Sequence, residues 1–337
     1  MPKDRTKFYL TAMALLVAAI VGGTGLLNYL VDPLWFFGGD KLAPRNFPWD
    51  ERTARVAHFM AGKRNYDCYI FGASRVGMLN FKNVPGHDCF MVSFEYATPS
   101  ELVAYAKYIK QRAEREPTLV MVGIEDANFI DQLDPHALAD PVRDNKTPHF
   151  WEYYFSGDVA KWSFKTVLNL APKPRYYAQD LTGRIRADAG TLPILRIKME
   201  PGQKLHMSLK NVPEFANFRA LFPKAHLVAF ATPVASARIR QYQSWGILPD
   251  YLAALHATAA HFDEMYDFSI PSEITSDPKL TYDGSHYQPA VYDRIVQALA
   301  QHEPSFGIRI SGHSLAETEA QYWDRLKAGE SRENIAD

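Results

Sequence analysis

The sequence contains few cysteines. Only Cys68 and Cys89 occur among its 337 residues, so it has neither a dense disulfide framework nor a C-x-x-C motif for a metal or redox site. Both cysteines fall in predicted strands. If those strands are neighbours, the thiols can form one disulfide in an oxidising compartment; otherwise they pack as small apolar side chains. We therefore predict no metal and no cofactor, and both states of the thiols stay open.

The sequence also lacks an excess of charge. Its 37 Lys and Arg residues balance 38 Asp and Glu residues, which gives a formal net charge of -1. A nucleic-acid-binding protein needs a basic surface to neutralise phosphates, so this class is excluded. Internal repeats and low-complexity segments are absent as well. The length suits one large α/β domain or two smaller ones.

One long apolar run is present near the N-terminus. From Phe8 to Val31 the chain reads "FYLTAMALLVAAIVGGTGLLNYLV", and this run carries no charged residue. A helix needs roughly 20 apolar residues to cross the hydrocarbon layer of a membrane. Lys3, Arg5 and Lys7 precede the run, and basic residues favour the cytoplasmic side. The sequence predicts a single-pass anchor of a bacterial-type cytoplasmic membrane, with the N-terminus inside and the rest of the chain in the periplasm or outside the cell.

This run has two other interpretations. A cleaved signal peptide also combines a basic start with an apolar stretch. The run is longer than the roughly 7–15 residues of a signal core, and "GGTGLLNYL" offers no clean small-x-small cleavage site. A buried core helix fits less well, because the run has no charge and a basic flank. An uncleaved anchor is favoured.

Strand and helix patterns alternate after the anchor. The segments "DCYIFGAS", "DCFMVSFEYA" and "TLVMVGIEDANF" are continuously apolar, which is typical of strands covered by helices on both faces. Thr98, Pro99 and Glu101 form a helix-start signal between the second and third of these strands. Together with "AHLVAFATPV" and "EMYDFSI", they predict an α/β fold with a three-layer, doubly wound, mostly parallel sheet.

The same patterns divide the chain. The predicted parts are a cytoplasmic tail (1–7), the anchor (8–31), a membrane-proximal segment (32–60), an α/β domain (61–305) with a mostly helical insertion at about 131–217, and a C-terminal peripheral helix or tail (306–337). The insertion contains "HFWEYYF". We interpret its aromatic side chains as a small core, while stacking on sugar rings and contact with the membrane surface stay open as alternatives.

Three residues can form a nucleophilic site. In "YIFGASRVGMLN" the predicted strand stops at Gly72 and Ser74 lies in the turn after it, while Asp283 and His286 lie three apart in "DGSHYQP" before a predicted helix. A serine hydroxyl needs a base to take its proton, and the base needs a group that fixes its tautomer. All three residues follow strands whose carboxyl ends share one edge of the sheet. The simpler alternatives are a turn serine and a helix cap.

The order of these motifs resembles the SGNH/GDSL hydrolase superfamily over residues 67–127 and 226–300. The chain looks most like membrane-anchored members that act with membrane-bound O-acyltransferases in D-alanyl or acetyl transfer to envelope glycans. This resemblance implies a serine acyltransferase or esterase that uses Ser74, His286 and Asp283. It also implies a glycan or acyl-ester substrate, and possible partners are the bilayer and a membrane-bound O-acyltransferase.

The sequence departs from that superfamily where the oxyanion is bound. The superfamily's third conserved motif is Gly-x-Asn-Asp, in which the asparagine donates a hydrogen bond to the oxyanion. The third strand here ends "VGIEDAN", with Glu125 in place of that asparagine. An ionised carboxylate cannot donate a hydrogen bond. The remaining candidates are the Ser74 N–H, the Asn128 side chain and the positive charge of Arg75. A non-catalytic envelope assembly or glycan-binding factor, partnering a membrane acyltransferase, is the alternative function.

Overall fold

A computed structural model describes residues 3–43, 45–131, 136–170, 174–179, 181–186 and 205–333. Its helices are α1 (Lys3–Val31), α2 (Glu51–Ala61), α3 (Pro99–Lys110), α4 (Asp140–Arg143), α5 (Gly157–Val167), α6 (Val212–Leu221), α7 (Ser236–Ser244), α8 (Leu248–Ala259), α9 (Glu273–Ser276), α10 (Pro289–Gln301) and α11 (Leu315–Glu333). Its strands are β1 (Cys68–Gly72), β2 (Cys89–Ser93), β3 (Leu119–Ile124), β4 (Arg175–Tyr177), β5 (Gly183–Ile185), β6 (His226–Ala231), β7 (Glu264–Asp267) and β8 (Ile308–Arg309).

The main sheet has six strands in the order β2-β1-β3-β6-β7-β8. Neighbouring strands are parallel except for β8, which runs antiparallel to β7. The predicted α/β class with a mostly parallel sheet is confirmed. From β1 the chain moves outward to β2 and then returns to β3 on the other side of β1. Open α/β sheets bind ligands beyond the carboxyl ends of the strands at such a reversal, which here lies between β1 and β3.

Helices cover both faces of the sheet. Alternate side chains of a strand point to opposite faces, and β1 divides accordingly. Tyr69 and Phe71 pack in a large core with apolar side chains of α3, α6, α8 and α11. Cys68 and Ile70 pack in a second core with α10. Every residue of β1 is buried, which explains its continuous apolarity.

The start of α3 follows the predicted signal. The Thr98 side chain accepts a hydrogen bond from the Glu101 N–H at 3.3 Å, and the Glu101 carboxylate accepts one from the Thr98 N–H at 2.9 Å. This reciprocal pair is a capping box, and Pro99 occupies the first turn, where its missing N–H costs nothing. The predicted helix start is confirmed, and it fixes the loop that leaves β2.

Two predicted boundaries differ from the structure. The boundary at residue 60 falls inside α2, whose Val56 and Phe59 are fully buried in the large core. The C-terminal part predicted as peripheral supplies the edge strand β8, and Tyr322 and Leu326 of α11 are buried. A two-residue strand is too short to produce a periodic pattern, and a helix with few apolar residues resembles a surface helix.

The described part of the insertion contains a strand hairpin that the sequence does not predict. Its described residues include α4 and α5, but also the antiparallel hairpin of β4 and β5. Each of these strands has three residues, so neither displays a recognisable alternation. The predicted insertion also covers residues 132–135, 171–173, 180 and 187–204, which lie outside the described residues.

Helix α1 has an exposed apolar part and a buried end. The stretch Arg5–Val31 is long and apolar enough to cross a membrane, and it includes part of the predicted tail. Its last turns pack on the domain. The Asn28 amide donates to the Tyr154 carbonyl at 2.7 Å and accepts from the Ser163 hydroxyl of α5 at 2.7 Å. The C-terminal end of α1 is therefore fixed against α5.

The chain leaves α1 in a closed turn. The buried Asp32 carboxylate accepts the N–H groups of Phe37 at 2.8 Å and Gly39 at 2.7 Å, and it also accepts the Tyr154 hydroxyl. The Asp32 carbonyl accepts from the Asn46 amide at 3.0 Å. Because these groups close the turn on itself, the segment after α1 is packed structure and does not act as a free linker.

The two cysteines form a disulfide. Cys68 and Cys89 are register partners at the starts of β1 and β2, and their sulfur atoms are bonded. Of the two states that the sequence left open, the structure has the bridged one. The bond ties β2, which is an edge strand, to its neighbour β1.

We expect removal of this disulfide to lower the free energy of unfolding by about 3 kcal/mol, because the bond closes a loop with a sequence separation of 21 residues. Urea unfolding of the full chain in detergent, with and without reductant, measures the effect. The Cys68→Ala/Cys89→Ala variant is the control and should not respond to reductant. Equal midpoints for the oxidised and reduced chain would contradict this account.

Candidate active site

Ser74 lies in a sharp turn at the end of β1. The chain passes from β1 into a 3₁₀ helix at Val76–Met78, and this reversal brings Val76 back onto the strand. A Cβ atom at Gly72 would lie 2.3 Å from the Val76 side chain, and one at Gly123 would lie 2.1 Å from it. Only glycine fits at these two positions. The turn leaves Ser74 partly exposed beyond the carboxyl end of β1.

His286 contacts Ser74 directly. Its Nε2 atom lies 2.9 Å from Ser74 Oγ, and its Nδ1 atom lies 2.8 Å from Asp283 Oδ2. Asp283 Oδ1 accepts the N–H groups of Ser285 at 2.8 Å and His286 at 2.7 Å, so the carboxylate organises its own loop. Gly284 has φ of 77°, which lets the loop turn back. The three predicted residues are brought together.

The electrostatics of this loop favour an ionised Asp283. Burial alone would raise the pKa of Asp283, but hydrogen bonds from the His286 ring and from backbone N–H groups hold its pKa below the usual range. An ionised carboxylate on Nδ1 keeps the proton there and leaves Nε2 free to accept the Ser74 hydrogen. The ring of Tyr282 stacks on the imidazole, with centroids 5.4 Å apart and planes 12° apart.

Arg75 connects this loop with the nucleophile turn. Its guanidinium is buried, donates from Nε to the Ser285 hydroxyl at 2.9 Å and pairs with Asp126 at 2.8 Å. Asp126 also accepts from Arg238 at 3.2 Å and from the Tyr242 hydroxyl. Burial would raise the pKa of Asp126, but Arg75 and Arg238 hold its pKa well below the usual range. The pair is ionised at all ordinary pH values.

The remaining oxyanion candidates make contacts inside the protein. Glu125 accepts the Arg75 N–H at 3.0 Å. Asn128 accepts the Glu125 N–H at 2.7 Å and donates to the Ala97 carbonyl at 3.2 Å. Arg75, Glu125 and Asn128 thus link loops around the site. Within the described part of the chain, the Ser74 N–H has no hydrogen-bond acceptor, so this group is available to a ligand.

One further residue at the site, Arg175, is not predicted by the sequence. Arg175 of β4 is buried and donates to the Ser74 carbonyl at 3.2 Å, to Glu51 at 3.1 Å and to Glu95 at 2.7 Å. Nothing in the insertion's pattern indicated a strand there.

Comparisons with known proteins assign no family. No protein-family model matches the chain, and no curated protein matches it. The resemblance to SGNH hydrolases therefore rests on Ser74, Asp283 and His286 and on their order along the chain.

We expect Asp126→Asn to lower the free energy of unfolding by about 3–5 kcal/mol, because it removes the closer of the two carboxylates that pair with the buried Arg75 and leaves only Glu125, at 3.8 Å. The folded-state pKa of Asp126 is depressed, so its contribution is present above the unfolded pKa of about 4 and is lost as the pH falls below that value. Urea unfolding at pH 7 and at pH 3 measures the difference from the parent chain.

The exposed Asp250 provides the matched control for this prediction. Asp250→Asn removes the same charge from the surface of α8 and should change stability by no more than about 0.5 kcal/mol. An equal loss of unfolding free energy in the two variants would contradict a structural role for the Arg75–Asp126 pair. The same conclusion would follow if the difference in unfolding free energy between Asp126→Asn and the parent were as large at pH 3 as at pH 7.

Proposed function

We propose that the protein is a membrane-anchored, extracytoplasmic serine O-acyltransferase or esterase of the SGNH type. The observation that carries this proposal is the pair of linked hydrogen bonds from Ser74 Oγ to His286 Nε2 and from His286 Nδ1 to Asp283 Oδ2, at 2.9 Å and 2.8 Å. A nucleophile within hydrogen-bond reach of a base, with the base oriented by a carboxylate, is the arrangement that acyl transfer requires.

In the proposed reaction Ser74 Oγ attacks the carbonyl carbon of an acyl ester while His286 Nε2 accepts the hydroxyl proton. The resulting imidazolium is stabilised by Asp283 and donates its proton to the leaving oxygen, which gives an acyl-enzyme. A second hydroxyl, from a glycan or from water, then attacks with His286 again as base. Transfer and hydrolysis differ only in this acceptor.

The Ser74 N–H is the proposed donor to the oxyanion. It belongs to the residue that is attacked, and it has no acceptor within the described part of the chain. The buried Arg75 charge is neutralised by Asp126, so Arg75 acts in the proposal as a positioning residue. A backbone N–H fixed by the surrounding turn stabilises developing charge without reorganisation.

Three observations support an extracytoplasmic location. Helix α1 is long and apolar enough to span a membrane, basic residues precede its apolar run, and the disulfide between Cys68 and Cys89 is typical of an oxidising compartment. The proposed substrate is an acyl group, such as acetyl, on an envelope or secreted glycan. A membrane-bound O-acyltransferase is the proposed partner, which follows from the superfamily resemblance.

A fluorophosphonate probe tests the nucleophile, because it reacts only with an activated serine. We expect it to label the full chain in detergent, and Ser74→Ala to abolish both labelling and hydrolysis of a generic acetyl ester. Asp283→Asn should reduce the hydrolysis rate by about 10⁴-fold, because the imidazole then adopts the wrong tautomer. Ser100→Ala, at an exposed serine of α3, is the control and should keep the full rate.

A second function is favoured by the contacts of Glu125 and Asn128. In this chain the side chains of Glu125 and Asn128 make hydrogen bonds to neighbouring loops. In the superfamily this region provides hydrogen-bond donors to the oxyanion. A non-catalytic glycan-binding factor would tolerate this arrangement. It predicts no labelling of the parent chain and equal glycan binding by the parent and the Ser74→Ala variant. Labelling at Ser74 would exclude it.

A further inference from the structure

An apolar surface lies beside the end of α1, on α5 and its flanks. We call it the α5 patch, and its members are Trp151, Phe155, Phe164, Val167, Leu168 and Leu170. Each of these side chains is 51% to 61% exposed. Single exposed apolar residues are normal on a protein, but a contiguous group of large ones marks a surface that contacts another apolar phase.

The central part of the patch is one face of the amphipathic helix α5. Val159, Ser163 and Thr166 of α5 are buried against the rest of the protein. Phe164 and Val167 lie on the opposite, exposed face, and Leu168 continues that face beyond the last turn. Helices of this kind lie in the plane of a membrane interface, with the apolar face in the acyl boundary and basic residues beside it.

Lysines border the patch on one side. Lys161 and Lys165 are four residues apart and therefore share one side of α5, next to the exposed apolar face. A lysine at such an edge can bury its methylene groups along apolar surface and extend its ammonium group to phosphate. Two acidic side chains lie near the patch: Asp158 is in the first turn of α5, and Glu152, beside Trp151, pairs with Lys146 at 3.8 Å. This charge distribution suits a lipid headgroup layer.

The patch is continuous with the surface of α1. A Cβ atom at Gly25 would lie 2.9 Å from the Phe155 ring, so the helix backbone touches the edge of the patch. The hydrogen bonds of Asn28 to Tyr154 and Ser163 hold α1 against the start and the middle of α5. Leu16, Ile20 and Leu26 of α1 are 58% to 61% exposed. Lipid that surrounds α1 therefore meets the patch where the helix leaves the bilayer.

We propose that the α5 patch inserts into the outer-leaflet interface of the same bilayer that α1 spans. This inference rests on the membrane anchor in the proposed function, and it goes further because it gives the domain a second, lateral contact with lipid. An apolar helix face in such an interface lies about 5–10 Å below the headgroup level. The two contacts together fix how the domain is oriented above the membrane.

This orientation reaches the nucleophile through a chain of buried contacts. The chain consists of Asp32, Asn46, Tyr177, Glu51, Arg175 and Ser74. Each member touches the next through a hydrogen bond or an ion pair. Ser74 is thus held by the part of the domain that packs on the end of α1. The α5 patch therefore fixes the distance of Ser74 from the bilayer.

Spin-label accessibility tests the proposal in the full chain, reconstituted into nanodiscs of phosphatidylethanolamine and phosphatidylglycerol. A nitroxide is placed at Phe164→Cys in the patch, at Leu16→Cys in α1, or at Asp250→Cys on α8, and the native cysteines stay in their disulfide. We expect the ratio of oxygen to nickel-chelate accessibility to be severalfold higher at positions 16 and 164 than at position 250, because oxygen concentrates in lipid. An unchanged urea unfolding midpoint relative to the unsubstituted chain verifies that each variant is folded.

The outcomes separate the inference from the proposed anchor. If position 16 is lipid-exposed while position 164 is accessible to the nickel chelate, the anchor stands and the inference is overturned. If position 164 is shielded from both reagents, a partner protein or a second copy covers the patch, and the inference is again overturned. If position 16 also lies in water, the anchor itself fails. Fluorophosphonate labelling of Ser74 tests the catalytic part separately.

Discussion

The buried guanidinium of Arg75 is the constraint on which the candidate site depends. A charge that is removed from water must be paired and hydrogen-bonded, and this one is paired with Asp126 and bonded to Ser285. Those partners lie in the loops that follow β3 and precede α10, while Arg75 itself follows Ser74. One desolvated cation therefore draws together the loop of the proposed nucleophile and the loop of the proposed base.

The parts that the sequence predicts are the parts determined by local patterns. Continuous apolar runs predict β1, β2 and β3 because these strands are buried on both faces. Thr98 and Glu101 predict the start of α3 because a capping box needs only neighbouring residues. The Asp-x-x-His spacing predicts that Asp283 can reach His286, and parallel topology then predicts that both approach Ser74.

The parts that the sequence does not predict depend on distant contacts or on very short elements. The role of Arg75 follows from a partner 210 positions away, and the contact of Arg175 with Ser74 follows from one 101 positions away. Neither separation leaves a periodic trace in the sequence. The strands β4 and β8 have three and two residues. Their strand conformation depends on pairing with neighbouring strands and not on a hydrophobic pattern of their own.

The closed turn at Asp32 determines what kind of attachment the domain has. A flexible linker would let the domain search a hemisphere around its anchor, and its effective concentration toward a substrate would fall as the linker lengthened. Here the carboxylate of Asp32 and the amide of Asn46 leave no slack between helix and domain. The active site of the proposed enzyme is then held at a fixed distance from the membrane. Only an acceptor hydroxyl at that distance can react, so the position of the acceptor relative to the membrane contributes to substrate specificity.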